Sequence, residues 1–314
     1  MDLYDLAGID WWSTQCYYHA LAYLGREGLI ICYPTSPYVC LGLHDDLEQE
    51  IDRSYCEARG LPLLRRETGG GVVYLDCNQI FFQLVLRRDN PVLPLKRQRF
   101  YKHFLQPAIR ACQLFGLPAE LREPADIVAC GRKCSGNAAG DIGECVAYVG
   151  NILLDFDFDL MSSLLWVPGP GFKECLRVAM RRYLTTLADW LPVPPSYLQL
   201  STALAAGFAG EFGPLNRRLP DEELEAEAGR LKQRLTDRSW LSLPGHKTKE
   251  RRIKIAEGVY LVESGCARGE SRILLLRDGM TTDLADCPDL LSDRNISPDT
   301  QHRASALEYI ADGA

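Results

Sequence analysis

The chain has 314 residues and a mass of 35.2 kDa, enough for two domains of ordinary size or for one with an appendage. Hydrophobic residues make up 46% and charged residues 25%, which excludes a wholly disordered chain. A net charge of −7 and a pI near 5.4 exclude a global basic field for nucleic acid, and no nucleic-acid partner is expected.

In chain order, Met1-Asp2-Leu3-Tyr4-Asp5 lacks the basic and apolar regions of a secretory signal. Behind Asp10, read as a cap, Trp12, Cys16, His19 or Ala20, and Tyr23 follow helical spacing. Leu29 to Cys32 and Tyr38 to Leu41 read as short strands. Leu47, Ile51, Tyr55 and Ala58 form one helical stripe that Gly60 would end. Strands are expected at 61–65, 72–75 and 80–86. A helix is expected from Phe100 to Phe115, with Pro107 forcing a kink and Gly116 closing it. Two strands flank Gly131-Arg132, and a third runs from Val146 to Phe158, where Asp155 to Leu160 alternates at period two. Further helices fall at 176–187 and 224–235.

The longest uncharged run, Trp190 to Gly210, carries Pro192, Pro194 and Pro195 beside several hydroxyl and amide side chains, so no membrane span is expected. After Trp240 the texture changes. Leu243-Pro244-Gly245-His246 is turn-like, and Lys247 to Lys254 carries five positive charges and one negative. Strands are expected at Ile255 to Val262 and Ile273 to Arg277. A boundary is therefore placed near residue 243, giving units 1–243 and 244–314. Irregular interleaving of helices and hairpins predicts an α+β fold with a mixed, largely antiparallel sheet, followed by a small α+β unit. The twelve cysteines include no C-x-x-C pair and read as reduced, mostly buried thiols in a cytoplasmic protein.

Two segments carry chemistry. Arg65-Arg66-Glu67-Thr68-Gly69-Gly70-Gly71-Val72-Val73-Tyr74 places three glycines between strands, where free amides can bind an anion beside two forked cations. The spacing matches neither a P-loop nor a dinucleotide fingerprint. Asp126 to Ala138 contains Gly131-Arg132-Lys133-Cys134-Ser135-Gly136-Asn137-Ala138, in which a lysine before a Ser-Gly-Asn turn can point an ammonium into a cleft. A flexible hairpin and a surface lysine are the plainer readings of each segment alone.

Together, in this order and about sixty residues apart, the segments resemble the lipoate–protein ligase family of the biotin and lipoate ligase superfamily. The family patterns are R-R-x-x-G-G-G-x-V-[YF] and G-[KR]-K-[IV]-S-G-[SN]-A. The resemblance implies a ligase-like catalytic domain over 1–243 and an accessory domain over 244–314. It implies ATP and lipoate as substrates, Mg²⁺ with the ATP, and transfer of an activated lipoyl group to a lysine of an acceptor protein. Lys133 would contact the carboxylate and α-phosphate oxygens, and Arg66 the triphosphate. Gly69, Gly70 and Gly71 would lie against the acyl chain and adenylate, with Val72, Val73 and Tyr74 beside the adenine. Asp126 would lie at the pocket edge, Asn78 near the phosphates, and Ser135, Gly136 and Asn137 would shape the lysine loop. Acceptors implied are a lipoyl domain, the glycine-cleavage H protein or a lipoate-binding protein. Gly140 to Cys145 and the absence of a His-His-Gly triplet, replaced by Tyr148-Val149-Gly150, resemble the ligases of sulfur-oxidising microbes.

Rival readings are an octanoyl or lipoyl transferase using Cys130, Cys134 or Cys145 as a thiolate nucleophile, and a non-catalytic module that binds lipoyl domains. Biotin ligation is disfavoured because the loop does not read G-R-G-R-x-G-R. Among the histidines, His44 is expected nearest the pocket, with a surface turn as its plain alternative.

Overall fold

The computed structural model describes residues 1–93, 97–265 and 271–285. Strand β1 (Asp2–Ile9) leads into helix α1 (Ser13–Tyr23), followed by β2 (Gly28–Pro34) and β3 (Tyr38–Leu41). Helix α1 begins without a side-chain cap. Asp10 contributes its backbone carbonyl, which accepts from the Ser13 amide at 2.9 Å, and not the carboxylate expected from the sequence.

The stripe from Leu47 to Ala58 forms two helices, α2 (Leu47–Glu50) and α3 (Arg53–Ala58), instead of one. The physical reason is Asp52, whose carboxylate accepts from the Tyr55 amide at 3.0 Å and caps a new helix, while Ile51 turns extended to bridge Leu165. Strands β4 (Leu63–Arg65), β5 (Val73–Leu75) and β6 (Gln79–Arg87) follow. Helix α4 (Arg97–Leu114) then runs through Pro107.

Beyond it lie β7 (Ala119–Arg122), β8 (Asp126–Ala129), β9 (Arg132–Ser135), β10 (Asn137–Ile142) and β11 (Cys145–Leu153). Strand β11 stops short of the alternating segment at 155–160. There the Asp157 carboxylate accepts from the Leu160 amide at 2.8 Å and caps α5 (Phe158–Leu164). Helices α6 (Pro170–Tyr183), α7 (Leu187–Trp190) and α8 (Tyr197–Phe212) follow. The last occupies most of the uncharged run and opens on a Ser196–Gln199 capping box. Among the described residues, no helix is long and apolar enough to cross a membrane.

The chain continues through β12 (Asn216–Arg217), α9 (Glu222–Leu235) and α10 (Arg238–Leu241). It ends, within the described residues, in β13 (Arg252–Ala256), β14 (Val259–Gly265), β15 (Ser271–Arg277) and β16 (Met280–Asp283). The single strand expected at 255–262 is a hairpin, because Gly258 adopts φ +72° and turns the chain. His302 and residues 286–314 of the expected accessory unit lie outside the described residues.

The architecture is α+β, as the sequence predicts. A six-stranded mixed sheet has the order β10-β11-β6-β2-β1-β12, antiparallel from β10 to β2 and parallel from β2 to β12. Period-two alternation divides its faces. Leu29, Ile31, Phe82 and Leu84 meet α4 and α8 in one core, while Ile30, Cys32, Phe81 and Val85 meet α1 and α9 in another. A third core joins β3, α5 and α6 to Ile253, Val259, Leu261 and Leu275 of the four-stranded β13–β16 sheet. That sheet therefore shares apolar packing with the body of the protein.

Candidate active site

A cavity of about 650 Å³ opens between the glycine loop, the β8–β9 hairpin and β13. Its walls include Arg66, Gly70, Gly71, Val72, Val73, Tyr74, Asp126, Lys133, Gly136 and Asn137, so two distant motifs meet in space. Gly69, Ser135 and Asn78 are not among its walls. Ser135 is fully buried beneath the turn, and Asn78 is an exposed residue of the β5–β6 turn bound to Asp76.

The glycine loop is held from below. Arg66 is 5% exposed and donates through Nη2 to the carbonyls of Gly69 (2.8 Å) and Gly71 (2.9 Å), and through Nη1 to that of Cys40 (3.2 Å). Its donors are thus engaged by backbone, and its charge sits under the loop. Gly70 adopts φ +89°, which disfavours any side chain, and a Cβ there would lie 2.9 Å from Arg66 Nη2. No backbone carbonyl takes the amides of Gly70, Gly71 or Val72 among the described residues, leaving donors suited to an anion.

Arg65 faces the other way. Its fully buried guanidinium donates to the carbonyls of Leu43 (3.0 Å) and Asp45 (2.7 Å) on one side and of Leu241 (2.6 Å) on the other. The first arginine of the motif therefore clamps the chain leading to β13 rather than presenting donors to the cavity. Gln49 and Thr248, and Arg251 and Glu50 (2.7 Å), extend the same seam.

Lys133 stands in β9, where its ammonium pairs with Asp126 at 2.8 Å. The turn behind it is fixed by Asn151, whose Oδ1 accepts from the Gly136 amide at 2.6 Å while its Nδ2 donates to Gln79 at 2.6 Å. Asn137 donates to the carbonyl of Ala125 at 2.8 Å, which ties the Ser-Gly-Asn turn to the start of β8. From β13, Arg252 and Lys254 add cations to the wall, with Lys254 paired to Glu257 at 2.6 Å. Among the described residues no cluster of three His, Cys, Asp or Glu is placed to hold a metal.

Sequence reasoning missed Gln15, Cys40, Gln79, Gln83 and Asn151. A usable signal existed in β6, where Gln79 and Gln83 interrupt an apolar strand on the face that carries Phe81. His44 is exposed, away from the cavity walls, with its ring 5.3 Å from that of His246. Among the described residues the buried imidazole is His19, which bonds the Gln15 carbonyl at 2.7 Å and accepts from the Glu67 amide at 3.0 Å, supporting the loop from α1. Burial holds its pKa down at about 3. At the position of the missing triplet, Tyr148 is buried against Phe100 and Phe104, so it serves packing.

None of Cys130, Cys134 and Cys145 lines the cavity. Hydrogen bonding with Cys112 and burial push the Cys134 thiol well up, and burial pushes Cys145 up. Among the described residues the cysteine that does reach the wall is Cys40, where burial raises the thiol despite Arg66.

The chain is similar to several known proteins and solved structures. Lipoate–protein ligase 1 of Staphylococcus aureus is 24% identical over 250 residues, 78% of this chain and 74% of that protein. Octanoyltransferase LipM of Kyrpidia tusciae is 27% identical over 213 residues, 61% of this chain and 76% of that one. The fold matches a bipartite lipoate protein ligase of Thermoplasma acidophilum, solved in a study with its E2 lipoyl domain, at a TM-score of 0.68 and 22% identity over 79% of this chain and 98% of that one. It also matches a lipoate-protein ligase A bound with ATP at a TM-score of 0.62 and 23% identity over 77% and 98%. Residues 12–209 match the family model described as the lipoyl protein ligase A/B catalytic domain, and the chain belongs to that family.

Proposed function

We propose that the protein is an ATP-dependent lipoate–protein ligase. One observation carries the reading: an ammonium, Lys133, faces the same cavity as the unengaged amides of the glycine loop, with further cations supplied by β13. In the first half-reaction a lipoate carboxylate oxygen would attack the α-phosphorus of ATP, the bond to pyrophosphate would break, and lipoyl-adenylate would remain. In the second, an acceptor lysine amine would attack the mixed-anhydride carbonyl, lose a proton and expel AMP. Lys133 would neutralise charge developing on the carboxylate and phosphate oxygens in both steps. Gly70, Gly71 and Val72 would offer amides, Tyr74 and Val73 an apolar wall, and Arg66 a fixed charge beneath them. Mg²⁺ would arrive with the nucleotide and keep most of its ligands from phosphate and water.

The transferase relatives make a thioester mechanism the second reading. The placement of Cys130, Cys134 and Cys145 off the cavity, and the raised thiols of Cys134 and Cys145, support the ligase over it. The acceptor is proposed to be a lipoyl domain or a related carrier. The 140–145 segment is the β10–β11 hairpin, where Gly140 backs onto Thr68 at a would-be Cβ distance of 2.9 Å, so packing accounts for part of its character.

Incubation with lipoate and Mg-ATP should release pyrophosphate, and adding a lipoyl domain should place one lipoyl group on one of its lysines. Modification from an acyl-carrier thioester without ATP would establish the transferase instead. Parallel assays on a lipoyl domain, an H protein and a lipoate-binding protein would identify the acceptor.

A further inference from the structure

We infer that Asp126 is a positioning residue that couples the docking of the β13–β14 hairpin to the placement of Lys133. The two carboxylate oxygens serve different parts of the molecule. Oδ1 holds the Lys133 ammonium at 2.8 Å, and Oδ2 accepts from the backbone amide of Glu257, in the β13–β14 turn, at 2.7 Å. Asp126 is only 4% exposed, so neither bond is readily replaced by water.

The contact lies where the far sheet touches the body. Next to the Glu257-Gly258 turn, the β15–β16 turn sets Asp278 against Arg122 of β7 at 2.6 Å, and the two turns join through the Asp278 amide and the Gly258 carbonyl at 2.9 Å. The tip of the sheet thus grips β7 and β8 at two points, one of them the carboxylate that holds the lysine.

A carboxylate bound on both oxygens by charge-assisted bonds is fixed in rotamer. Losing the amide frees its side-chain torsions and leaves a buried acceptor unmet, and the ammonium on the other oxygen loses its fixed partner. Lys133 is therefore fully positioned only while the tip is docked, so charge stabilisation and closure over the cavity arrive together. The inference rests on the proposed role of Lys133, and its test separates the two.

The test uses the full chain and four substitutions, Asp126→Asn and the three that follow. Glu257→Pro deletes the amide. Glu257 lacks positive φ and precedes Gly258 at +72°, the pattern of a turn position that tolerates proline. Glu257→Ala keeps the amide and removes only the carboxylate paired to Lys254. Asp278→Ala loosens the neighbouring grip without touching Asp126. The readout is the rate at which acetic anhydride labels Lys133, resolved by peptide mass spectrometry against the other lysines, since a lysine held by a carboxylate is shielded from the reagent. Glu257→Pro should raise that rate about three- to tenfold, Asp278→Ala should move it in the same direction, and Glu257→Ala should leave it at the wild-type value. Asp126→Asn should raise it as well, and adding Glu257→Pro to Asp126→Asn should add little. Unchanged labelling in both Glu257→Pro and Asp278→Ala, or full additivity with Asp126→Asn, would overturn the coupling. If labelling follows the expectation while the wild type releases no pyrophosphate from ATP and lipoate, the coupling stands and the ligase reading falls.

Discussion

Replacing Arg65 by lysine tests whether the segment leading to β13 is clamped to the body. Among the described residues no carboxylate lies within ion-pair distance of this guanidinium, and five carbonyls hold it: those of Gly42, Leu43 and Asp45 from Nη1, and those of Leu241 and Leu243 from Nη2. Lysine keeps the charge but carries a single nitrogen, which can satisfy one side of the seam and not both. A hydrogen bond to a charged group is worth about 1.5–3 kcal/mol, and carbonyls stranded at 241 and 243 regain part of that from water. The net loss should be about 2–4 kcal/mol, or roughly 3–6 °C in Tm for a chain of this size. Methionine would be a poorer probe, because it also removes the cost of burying the charge. Thermal unfolding gives the first readout. Trypsin gives the second, through cleavage after Lys247 and Lys249, which are exposed in sequence positions adjoining the clamp. Faster cleavage there, at a temperature where the body stays folded, is expected. A stability within about 0.5 kcal/mol of wild type, with equal protection from trypsin, would refute the clamp.

His19 makes stability depend on pH. Its folded pKa is lowered to about 3 while the unfolded value is near 6.5, so only the unfolded chain binds a proton between them, and stability falls as pH drops through that window by up to about 1.4 kcal/mol per unit. His19→Gln should flatten the loss between pH 6.5 and 5, read as urea midpoints, and equal losses in both proteins would count against the assignment. Lys133→Ala should cut pyrophosphate release on the order of 10²- to 10³-fold in a chain that still folds, though with a lowered Tm because the buried Asp126 loses its partner. Near wild-type turnover in that variant would remove Lys133 from the chemistry. Gly70→Val forces a β-branched residue into positive φ and against Arg66, so calorimetry should find nucleotide and lipoate binding abolished. Unaltered affinity would mean that the loop is not the ligand platform.

How much of this was legible beforehand depended on how local the determining physics is. The glycine run and the Gly-Arg-Lys-x-Ser-Gly-Asn turn are local signals, because they specify backbone freedom and side-chain type over a few residues. They marked two segments that the fold brings to one cavity. Where local reading failed, a short-range competitor overrode the periodic pattern. Asp52 and Asp157 cap helices inside stretches read as a continuous helix and a strand, and Gly258 folds a hairpin inside a run read as one strand.

The sequence by itself determined the α+β class, the order of most elements and the residues of the two motifs, since burial periodicity and turn chemistry act between near neighbours. Only the tertiary structure decided which motif residues face the cavity and which support it. Arg65 and Arg66 are adjacent and chemically alike, yet strand alternation sends one to the seam at Leu241 and the other beneath the glycine loop. Asp126 and Glu257, like Gln79 and Asn151, meet across separations of 131 and 72 residues. Such pairings are set by how sheets dock and register, and no local pattern in the chain encodes them.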